Sequence, residues 1–405
     1  MCLNRLPPTS LKNARLVCKR WSSFIIERRL LRMKNEGRYQ NLWLFVFGTL
    51  QYSSELVLGH NVNKIHALDL SRNEWHDIDA SFLKGRFMFS IAGIRDGIFI
   101  VGGRTNNKKS KDDSCFIRPV KKTHKDVMFF NPVTKSCRKI HSMKYARCVP
   151  ILGVTENPII PFVRRRSSHS DSSSKGIKKG SFLLIVVGGF DDWSGTDDDS
   201  LMYCGEMYDS LTKKWTEIQS LPSDFGSPYS GIVCGKMFYV VSRTYKLAAY
   251  DIEKGFWFEI QTPSFAPNNK PPYEPKLVSS NGRILLVSNR WPAIRKEIHN
   301  LVTTLWELDL MHLTWTEISI EPDVITDWRY IEFVANKNMI FGVMMPYVDS
   351  DEILDDFIAC DVSESNRAKW INISSKVVHN FRELYWHPKC DPFWTRSMAV
   401  IHVSI

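Results

Sequence analysis

The sequence has little of what membrane spans, disulfide frameworks and zinc sites require. Its apolar runs, such as residues 42–47 and 182–187, fall far short of the roughly 20 residues that cross a bilayer. The nine cysteines are scattered, odd in number and never arranged as a Cys-x-x-Cys pair, so they indicate neither a disulfide framework nor a zinc site. We therefore expect a protein of a reducing compartment, the cytoplasm or the nucleus, with no membrane partner.

Motifs of catalysis are missing as well. The sequence contains no Gly-x-Ser-x-Gly elbow, no Gly-rich phosphate-binding loop ending in Gly-Lys-Ser/Thr, and no His-Glu-x-x-His pair. The acidic stretches 197–199 and 349–356 do not follow the spacing of an EF-hand calcium loop. The sequence therefore predicts a non-catalytic protein with no cofactor and no bound metal.

Positive charge is unevenly distributed. The net charge of the chain is +11, but residues 1–40, 104–125 and 163–181 carry +8, +6 and +5, which leaves −8 for all other residues. The basicity belongs to an N-terminal region and two polar insertions, so we do not expect the body of the protein to bind nucleic acid. The Ser-rich, basic insertion at about residues 155–181 has low complexity and is predicted to be disordered.

One pattern occurs six times along the chain. It consists of an apolar run, an Asp or Asn, a short polar stretch, a Trp and, three residues later, an Ile. The copies are Asp69, Trp75, Ile78; Asn131, Cys137, Ile140; Asp209, Trp215, Ile218; Asp251, Trp257, Ile260; Asp309, Trp315, Ile318; and Asp361, Trp370, Ile373. Each copy predicts a hairpin, because the Asp side chain can cap a turn and the Trp needs a large buried site on the next strand.

A second pair of strands precedes most copies of this pattern. The clearest pair is Phe89–Ile94 and Ile98–Val101, joined by the turn signal Asp96-Gly97. Four strands per unit, repeated about every 40 to 80 residues, are typical of a β-propeller. The predicted fold class is therefore all-β, with six blades over residues 41–405 and a small helical segment before them.

Glycine pairs give the repeats a family likeness. Gly102-Gly103 and Gly188-Gly189, each followed by a hairpin of the type above, resemble the kelch repeat. The later units have Val241-Ser242 and Ser288-Asn289 at this place, so the repeats are degenerate. A propeller of the WD type is the alternative.

The first predicted blade is one strand short. Residues 41–48 and the hairpin over residues 65–78 supply three strands, while residues 396–403 resemble residues 86–92, which open the second blade. We predict that the C-terminal strand joins the first blade and closes the ring, which removes exposed sheet edges. The alternative is a C-terminal strand with no special place in the fold.

Residues 1–36 differ from the rest of the chain. Their apolar positions recur at helical spacing and Ser10 can cap the start of a helix, which predicts a helical segment with an exposed apolar face. Residues 6–11, Leu-Pro-Pro-Thr-Ser-Leu, and residues 14–21, Ala-Arg-Leu-Val-Cys-Lys-Arg-Trp, resemble the second half of an F-box. An F-box usually begins with an earlier Leu-Pro-Asp-type helix, so we expect a shortened F-box here.

The whole chain therefore resembles the F-box/kelch-repeat proteins of plants. That resemblance implies a non-catalytic substrate receptor of a Skp–cullin–F-box ubiquitin ligase. The F-box would bind the Skp-type adaptor and through it a cullin, and the propeller would bind the target protein for ubiquitination. By match to the family, the adaptor contacts are Leu6, Pro7, Leu11, Leu16, Val17 and Trp21, although Leu16 and Trp21 could instead form the core of the small domain. Because the F-box is short, a kelch interaction scaffold without ligase activity is the alternative function.

The loop before the first strand of each predicted blade carries an arginine or an aromatic residue. The residues concerned are Arg86, Arg147, Tyr229, Tyr273, Arg329 and Arg396. Arginine makes bidentate contacts with carboxylate or phosphate, and tyrosine anchors interfaces. We predict that these side chains surround one end of the axial opening and bind an acidic or phosphorylated segment of the target protein. The alternative is that the arginines form structural salt bridges between blades.

Overall fold

The computed structural model describes most of the chain beyond residue 40. The described residues are 41–51, 64–70, 72–84, 86–107, 120–156, 180–190, 200–262, 273–290, 302–318, 328–346, 352–363, 370–380 and 393–403, with Val17 and Ala368. They form six four-stranded sheets, the blades of a propeller, and one two-stranded sheet, which confirms the predicted all-β fold class. The Ser-rich insertion predicted to be disordered lies outside the described residues, apart from its two ends.

Each of the first three blades is an antiparallel sheet of four strands. Blade 1 contains β26 (Phe393–Val403), β1 (Asn41–Gln51), β2 (Lys64–Asp69) and β3 (Glu74–Asp79). Blade 2 contains β4 (Ser90–Ile94), β5 (Gly97–Val101), β8 (Val127–Asn131) and β9 (Ser136–Lys139). Blade 3 contains β10 (Ile151–Glu156), β11 (Phe182–Val187), β12 (Gly205–Asp209) and β13 (Lys214–Ile218).

The other three blades repeat this order. Blade 4 contains β14 (Pro228–Cys234), β15 (Met237–Ser242), β16 (Leu247–Asp251) and β17 (Phe256–Ile260). Blade 5 contains β18 (Tyr273–Ser280), β19 (Arg283–Arg290), β20 (Val302–Asp309) and β21 (Thr314–Glu317). Blade 6 contains β22 (Trp328–Asn336), β23 (Met339–Pro346), β24 (Glu352–Asp361) and β25 (Trp370–Asn380).

Three short elements lie outside the blades. The strands β6 (Arg104–Asn107) and β7 (Val120–Thr123) pair with each other between the second and third strands of blade 2. A 3-10 turn covers Ser81–Leu83, and one helical turn covers Ser200–Tyr203. Within the described part of the chain, no helix is both long and apolar enough to cross a membrane.

The C-terminal strand completes blade 1. β26 pairs with β1 over eleven residue pairs, from Asn41 opposite Val403 to Gln51 opposite Phe393, as the sequence predicted. The first strands of the blades, β26, β4, β10, β14, β18 and β22, contact one another in a closed ring. Joining the two ends of the propeller in one sheet removes the free sheet edges that an open ring would expose.

The first strand of each blade begins at one side of this ring, which we call the upper face. At that side the start of the first strand pairs with the end of the second, for example Ile151 with Val187 and Pro228 with Ser242. The ends of the second strands, which lead to the third strands, and the starts of the first strands, which follow the linkers, therefore lie at the upper face. Loops held in this way on a rigid scaffold are common binding surfaces.

Apolar side chains fill the spaces between neighbouring blades. The buried side chains form six clusters, one for each contact between adjacent blades. The cluster between blades 3 and 4, for instance, contains Ile185, Phe238 and Tyr250. Burial of one such side chain contributes about 1.5–3 kcal/mol, so packing between blades is the main term that stabilises the ring.

The repeated Asp and Trp positions have clear local roles. Asp209 Oδ1 accepts a hydrogen bond from the Leu211 N–H at 2.9 Å, and Asp251 Oδ1 accepts one from the Glu253 N–H at 2.9 Å. These bonds cap the turn between the third and fourth strands, as predicted.

Three of the repeated tryptophans connect their blade to the preceding one. Trp215 Nε1 donates to the His141 carbonyl at 2.7 Å, and Trp257 Nε1 donates to the Gln219 carbonyl at 2.7 Å. Trp75 Nε1 donates to Ser374 Oγ at 2.9 Å. In all three cases the acceptor directly follows the Ile of the repeat in the preceding blade, so blades 1, 3 and 4 dock on their preceding neighbours in the same way.

Candidate functional site

Arg147, in the linker before blade 3, is completely buried at the upper face. Its Nη1 donates to the carbonyl oxygens of Gly188 at 2.6 Å and Cys204 at 3.1 Å. Its Nε and Nη2 donate to Glu206 Oε1 at 3.3 and 3.2 Å. The guanidinium therefore joins the end of the second strand to the start of the third strand within one blade.

Glu206 is the carboxylate that accepts the hydrogen bonds of this network. It is buried, and its Oε2 accepts the Lys144 N–H at 2.6 Å while its Oε1 accepts the Tyr145 N–H at 3.3 Å. A buried carboxylate needs such donors because burial removes its hydration. The pair of Arg147 and Glu206 thus fixes the course of the linker at the upper face.

The glycine pair of blade 2 lets this linker approach closely. Gly103 N–H donates to the Arg147 carbonyl at 2.8 Å. Gly102 has a φ of +66°, and a Cβ at this residue would lie 2.1 Å from the same carbonyl oxygen. Only glycine fits a left-handed backbone in contact with another backbone, which explains the Gly-Gly signal in the sequence.

Arg86 has the corresponding place in blade 2. It is 5% exposed, and it donates from Nη1 to the Gly102 carbonyl at 3.2 Å and from Nη2 to Asp126 Oδ2 at 3.3 Å. Burial raises the pKa of Asp126, but the hydrogen bonds and charges of Lys139 and Arg86 outweigh burial and leave this pKa below its usual value. Burial, together with the charge of Arg86, lowers the pKa of His124 to about 4.

The structure corrects the prediction for Arg86 and Arg147. A guanidinium that is enclosed by its own blade has no surface to offer a substrate, so the structure favours the alternative of structural salt bridges. These ion pairs lie within one blade rather than between two, and the link to the neighbouring blade runs through the backbone bond between Gly103 and Arg147. The sequence could not show this, because a buried and an exposed arginine in a linker look alike.

Blades 4, 5 and 6 are built differently at the upper face. In each of them the register between the first two strands shifts, whereas the corresponding pairs in blades 2 and 3 run without a shift. The shifts lie between Pro228 and Ser230, between Tyr273 and Lys276, and between Trp328 and Tyr330. A bulge of this kind changes the direction of a side chain. Tyr229 and Arg329, both predicted to bind substrate, are the extra residues in blades 4 and 6.

Tyr229 has two cationic neighbours. The Cζ atom of Arg243 lies 5.1 Å from the centre of the Tyr229 ring, and Nζ of Lys276 lies 5.0 Å from it. Arg243 follows the second strand of blade 4 and is exposed, while Lys276 belongs to the first strand of blade 5. Sequence reasoning found Tyr229 but missed both cations, because neither lies in a linker before a blade.

The other predicted site residues are described in part or not at all. Tyr273, Arg329 and Arg396 lie on the first strands of blades 5, 6 and 1, and their side chains lie outside the described part of the structure. Their role in substrate binding stays a prediction. Of the predicted adaptor contacts only Val17 is described, and it is 64% exposed; Leu6, Pro7, Leu11, Leu16 and Trp21 lie outside the described residues.

The hairpin of β6 and β7 was not predicted from the sequence. Arg104, at its base, is buried, exchanges two backbone hydrogen bonds with Phe87 and lies with Cζ 5.1 Å from the centre of the Phe190 ring. The hairpin is thus anchored to blades 2 and 3. Its strands are short and polar, so they lack the apolar alternation by which strands are recognised.

Metal binding finds no support in the described part of the chain. Those residues include no group of three or more His, Cys, Asp or Glu side chains that could hold a metal ion.

Known proteins resemble both parts of this chain. Residues 1–33 match the F-box domain, and residues 183–222 match the Kelch motif, which here runs from the second strand of blade 3 past its fourth strand. Two F-box/kelch-repeat proteins of Arabidopsis thaliana, At5g42350 and At5g42360, are each 37% identical to this chain over 456 residues. The similarity covers 100% of this chain and 75% of each relative.

More distant similarities agree with the architecture. Protein UNUSUAL FLORAL ORGANS of Arabidopsis thaliana is 23% identical over 353 residues, which cover 82% of this chain and 66% of that protein. The solved structure of YjhT superposes with a TM-score of 0.52 at 13% identity, covering 81% of this chain and 97% of YjhT. At that identity the structural likeness shows the propeller fold alone.

Proposed function

Because this chain belongs to the F-box/kelch-repeat proteins, we propose that it is a substrate-recognition subunit of a Skp–cullin–F-box ubiquitin ligase. The observation that carries the proposal is the match of residues 1–33 to the F-box domain in a chain whose described residues form a propeller. In this proposal the F-box binds a Skp-type adaptor and, through it, a cullin. The propeller binds the target protein, and the chain itself performs no chemical step.

The propeller suits the role of a receptor because it is rigid. Six apolar clusters between blades and a closed ring of first strands hold the described strand ends at the upper face in fixed positions. A preorganised surface loses less conformational entropy when a partner binds. The described part of the upper face can therefore contact a target protein without first folding around it.

The N-terminal segment suits the role of an adaptor-binding module. Val17 exposes most of its apolar side chain, within a stretch whose apolar residues recur at helical spacing. An exposed apolar face on a helical segment is a typical docking surface for another protein. In the proposed complex Leu6, Pro7, Leu11, Leu16, Val17 and Trp21 contact the adaptor.

Capture of a purified plant Skp-type adaptor by the full 405-residue chain tests this proposal. We expect the wild-type chain to retain the adaptor, and the double variant Leu16→Asp/Trp21→Ala to lose it, because a charge on the apolar face and a missing indole remove the docking surface. Arg243→Gln, which changes an exposed residue of the propeller, is the matched control and should retain the adaptor.

Two results would contradict the proposal. If the wild-type chain fails to retain the adaptor, the chain is not a ligase subunit and the alternative of a kelch interaction scaffold takes its place. If the double variant retains the adaptor as well as the wild type does, binding does not use the F-box residues. Circular dichroism of each variant shows whether the propeller is folded in the captured material.

A further inference from the structure

The upper face of blade 4 carries an exposed arginine over a tyrosine. The guanidinium of Arg243 lies over the Tyr229 ring at 5.1 Å, and Lys276 from blade 5 lies 5.0 Å from the same ring centre. Two cations beside one ring are attracted by its negative face but repel each other. An anion between or beside them would relieve this repulsion.

The charges around the ring are only partly compensated. Lys276 Nζ makes an ion pair with Glu332 Oε2 at 2.7 Å, which joins the first strands of blades 5 and 6. Arg243 has no carboxylate within ion-pair distance among the described residues; its backbone N–H donates to the Ser227 carbonyl at 2.9 Å, and its guanidinium contacts the Tyr229 ring. Among the described residues, therefore, the positive charge of Arg243 meets no carboxylate at ion-pair distance, and this charge lies on an exposed side chain.

The position of Arg243 is held by a tight turn. Ser242 is buried; its N–H donates to the Lys246 carbonyl at 2.9 Å, and its carbonyl accepts the Tyr245 N–H at 3.0 Å. Lys246 Nζ in turn donates to Asp224 Oδ2 at 3.0 Å and so ties the turn to the linker before the blade. The backbone that carries Arg243 is thus fixed, and the contact with the Tyr229 ring restrains its side chain, as preorganisation of a binding site requires.

The bulge in β14 contributes the aromatic part of the cluster. Tyr229 is the residue between Pro228 and Ser230, where the register between β14 and β15 shifts. Bulges occur next to functional sites because they redirect a side chain. Here the bulge brings the ring between cations of two different blades.

We infer that Tyr229, Arg243 and Lys276 form a subsite that binds an anionic side chain, a carboxylate or a phosphate, of an extended segment of the target protein. A guanidinium that contacts an aromatic ring still has N–H groups that can donate to such a group. The subsite rests on the proposed function of the propeller as a receptor. It replaces Arg86 and Arg147 as the source of positive charge for substrate recognition.

Binding of fluorescein-labelled peptides to the full chain tests the subsite. The probes are three repeat peptides of equal length, Gly-Glu, Gly-phosphoserine and Gly-Gln, measured by fluorescence anisotropy at about 0.15 M salt, where charges more than about 8 Å apart are largely screened. We expect the wild-type chain to bind an anionic peptide more tightly than the Gly-Gln peptide. The tighter of the two anionic peptides identifies the group as carboxylate or phosphate.

Matched variants separate the subsite from general attraction to a basic chain. Arg243→Gln should weaken anionic binding about tenfold or more, the loss that one charge-assisted hydrogen bond carries. Arg138→Gln is the control. Arg138 lies on the fourth strand of blade 2, away from the upper-face cluster, and like Arg243 it is exposed and has its Cζ near an aromatic ring, 5.2 Å from the centre of Phe129. Tyr229→Phe keeps the aromatic ring and should bind the anionic peptide as the wild type does. Tyr229→Leu removes the ring and should bind the anionic peptide more weakly.

The outcomes that overturn the subsite differ from those that overturn the proposed function. Equal binding of all three peptides, or equal effects of Arg243→Gln and Arg138→Gln, would overturn the subsite. Adaptor capture does not depend on Arg243, so its failure would overturn the ligase role and leave the subsite standing. Thermal unfolding of Arg243→Gln and Tyr229→Leu confirms that lost binding is not lost folding.

Discussion

Blades 2 and 3 differ from blades 4 and 5 at the same place in the fold, the upper end of the second strand. Blades 2 and 3 have a Gly-Gly pair there and bury an arginine against it. Blade 4 has the buried Ser242, whose Oγ lies 2.9 Å from Thr244 Oγ1, and blade 5 has the buried Ser288, whose Oγ lies 3.0 Å from Thr304 Oγ1. The upper end of the second strand is thus held by a buried arginine and its ion pair in blades 2 and 3, and by hydroxyl groups in blades 4 and 5.

The difference between these blades shows which positive charges are available for binding a ligand. In blades 2 and 3 the buried arginines donate to carbonyl groups and carboxylates of their own blade. In blade 4 short hydroxyl bonds hold the turn, and Arg243 stays on the surface. Cationic residues near the axis of a propeller are therefore not equivalent, and burial decides which of them can meet a ligand.

The largest effect is expected from breaking the ion pair of blade 3. Glu206→Gln should lower the free energy of unfolding by about 3–5 kcal/mol, because it leaves the buried Arg147 uncompensated. The substitution also weakens the hydrogen bonds of the Lys144 and Tyr145 N–H groups, because these donors then face an amide oxygen or an amide N–H₂ group instead of a carboxylate. Urea unfolding measures the change.

Glu217→Gln is the control for this variant, since Glu217 binds the side chain of the same Lys144 but is exposed. Its effect should be small, because solvent screens exposed pairs. Equal destabilisation by the two variants would show that burial of the pair in blade 3 does not matter to stability.

A second test compares two glycines with nearly the same backbone. Gly102 and Gly235 have φ values of +66° and +60°, but a Cβ would meet the Arg147 carbonyl at 2.1 Å in the first case and nothing within 4 Å in the second. Gly235→Ala should cost about 1 kcal/mol, the strain of a left-handed residue. Gly102→Ala should cost two to three times as much, because the linker must also move.

Denaturant midpoints of the two alanine variants decide this comparison. If both variants lose the same stability, the Gly-Gly pair serves only the backbone conformation and not the close approach of the linker.

The third test uses pH to probe the buried end of blade 2. The pKa of His124 is about 4 in the folded protein against an ordinary 6.5, so between these values the unfolded chain binds more protons than the folded chain. The free energy of unfolding should therefore fall as pH decreases from 6.5 to 4. His124→Gln should make this decrease less steep, as followed by thermal unfolding at several pH values.

An unchanged slope in His124→Gln would assign the acid sensitivity in this window to other groups. Asp126, whose pKa is lowered by Lys139 and Arg86 against the effect of burial, should affect stability mainly at and below its ordinary value of 3.8.

The smallest effect is expected in blade 4. Ser242→Ala removes the contact with Thr244 Oγ1 and the acceptor for the Lys246 N–H at 3.0 Å, which should cost about 1–3 kcal/mol because buried polar groups lose a partner. Ser279→Ala, on the neighbouring blade and only half-buried, serves as a control with the same chemical change. A loss as large as that of Glu206→Gln would contradict the view that hydroxyl groups hold these loops with less energy than the ion pair does.

Much of the fold could be predicted from the sequence because its signals are local and repeated. The Asp positions recur because the Asp side chain caps a turn, as at Asp209 and Asp251. The Trp positions recur because the indole contacts the preceding blade, as at Trp75, Trp215 and Trp257. Closure of blade 1 by β26 was predictable from the likeness of residues 396–403 to residues 86–92. The hairpin of β6 and β7 was missed, because it is polar and its anchor Arg104 is distinguished only by burial.

The candidate site was less predictable for a physical reason. The linkers before the blades could be identified, and Tyr229 with them, but the direction of each side chain depends on contacts with other blades. Arg86 and Arg147 turn inward to carbonyl groups far away in the sequence, and Lys276 reaches Tyr229 from a different blade.

The sequence by itself determined the class of fold, the number and order of the blades, the closing strand and the family, because apolar periodicity and turn residues act over a few positions. Only the tertiary structure decided which charges are buried and which are exposed. Burial depends on distant segments that meet in space, so Arg147 became part of the scaffold, whereas Arg243 stays at the surface beside Tyr229.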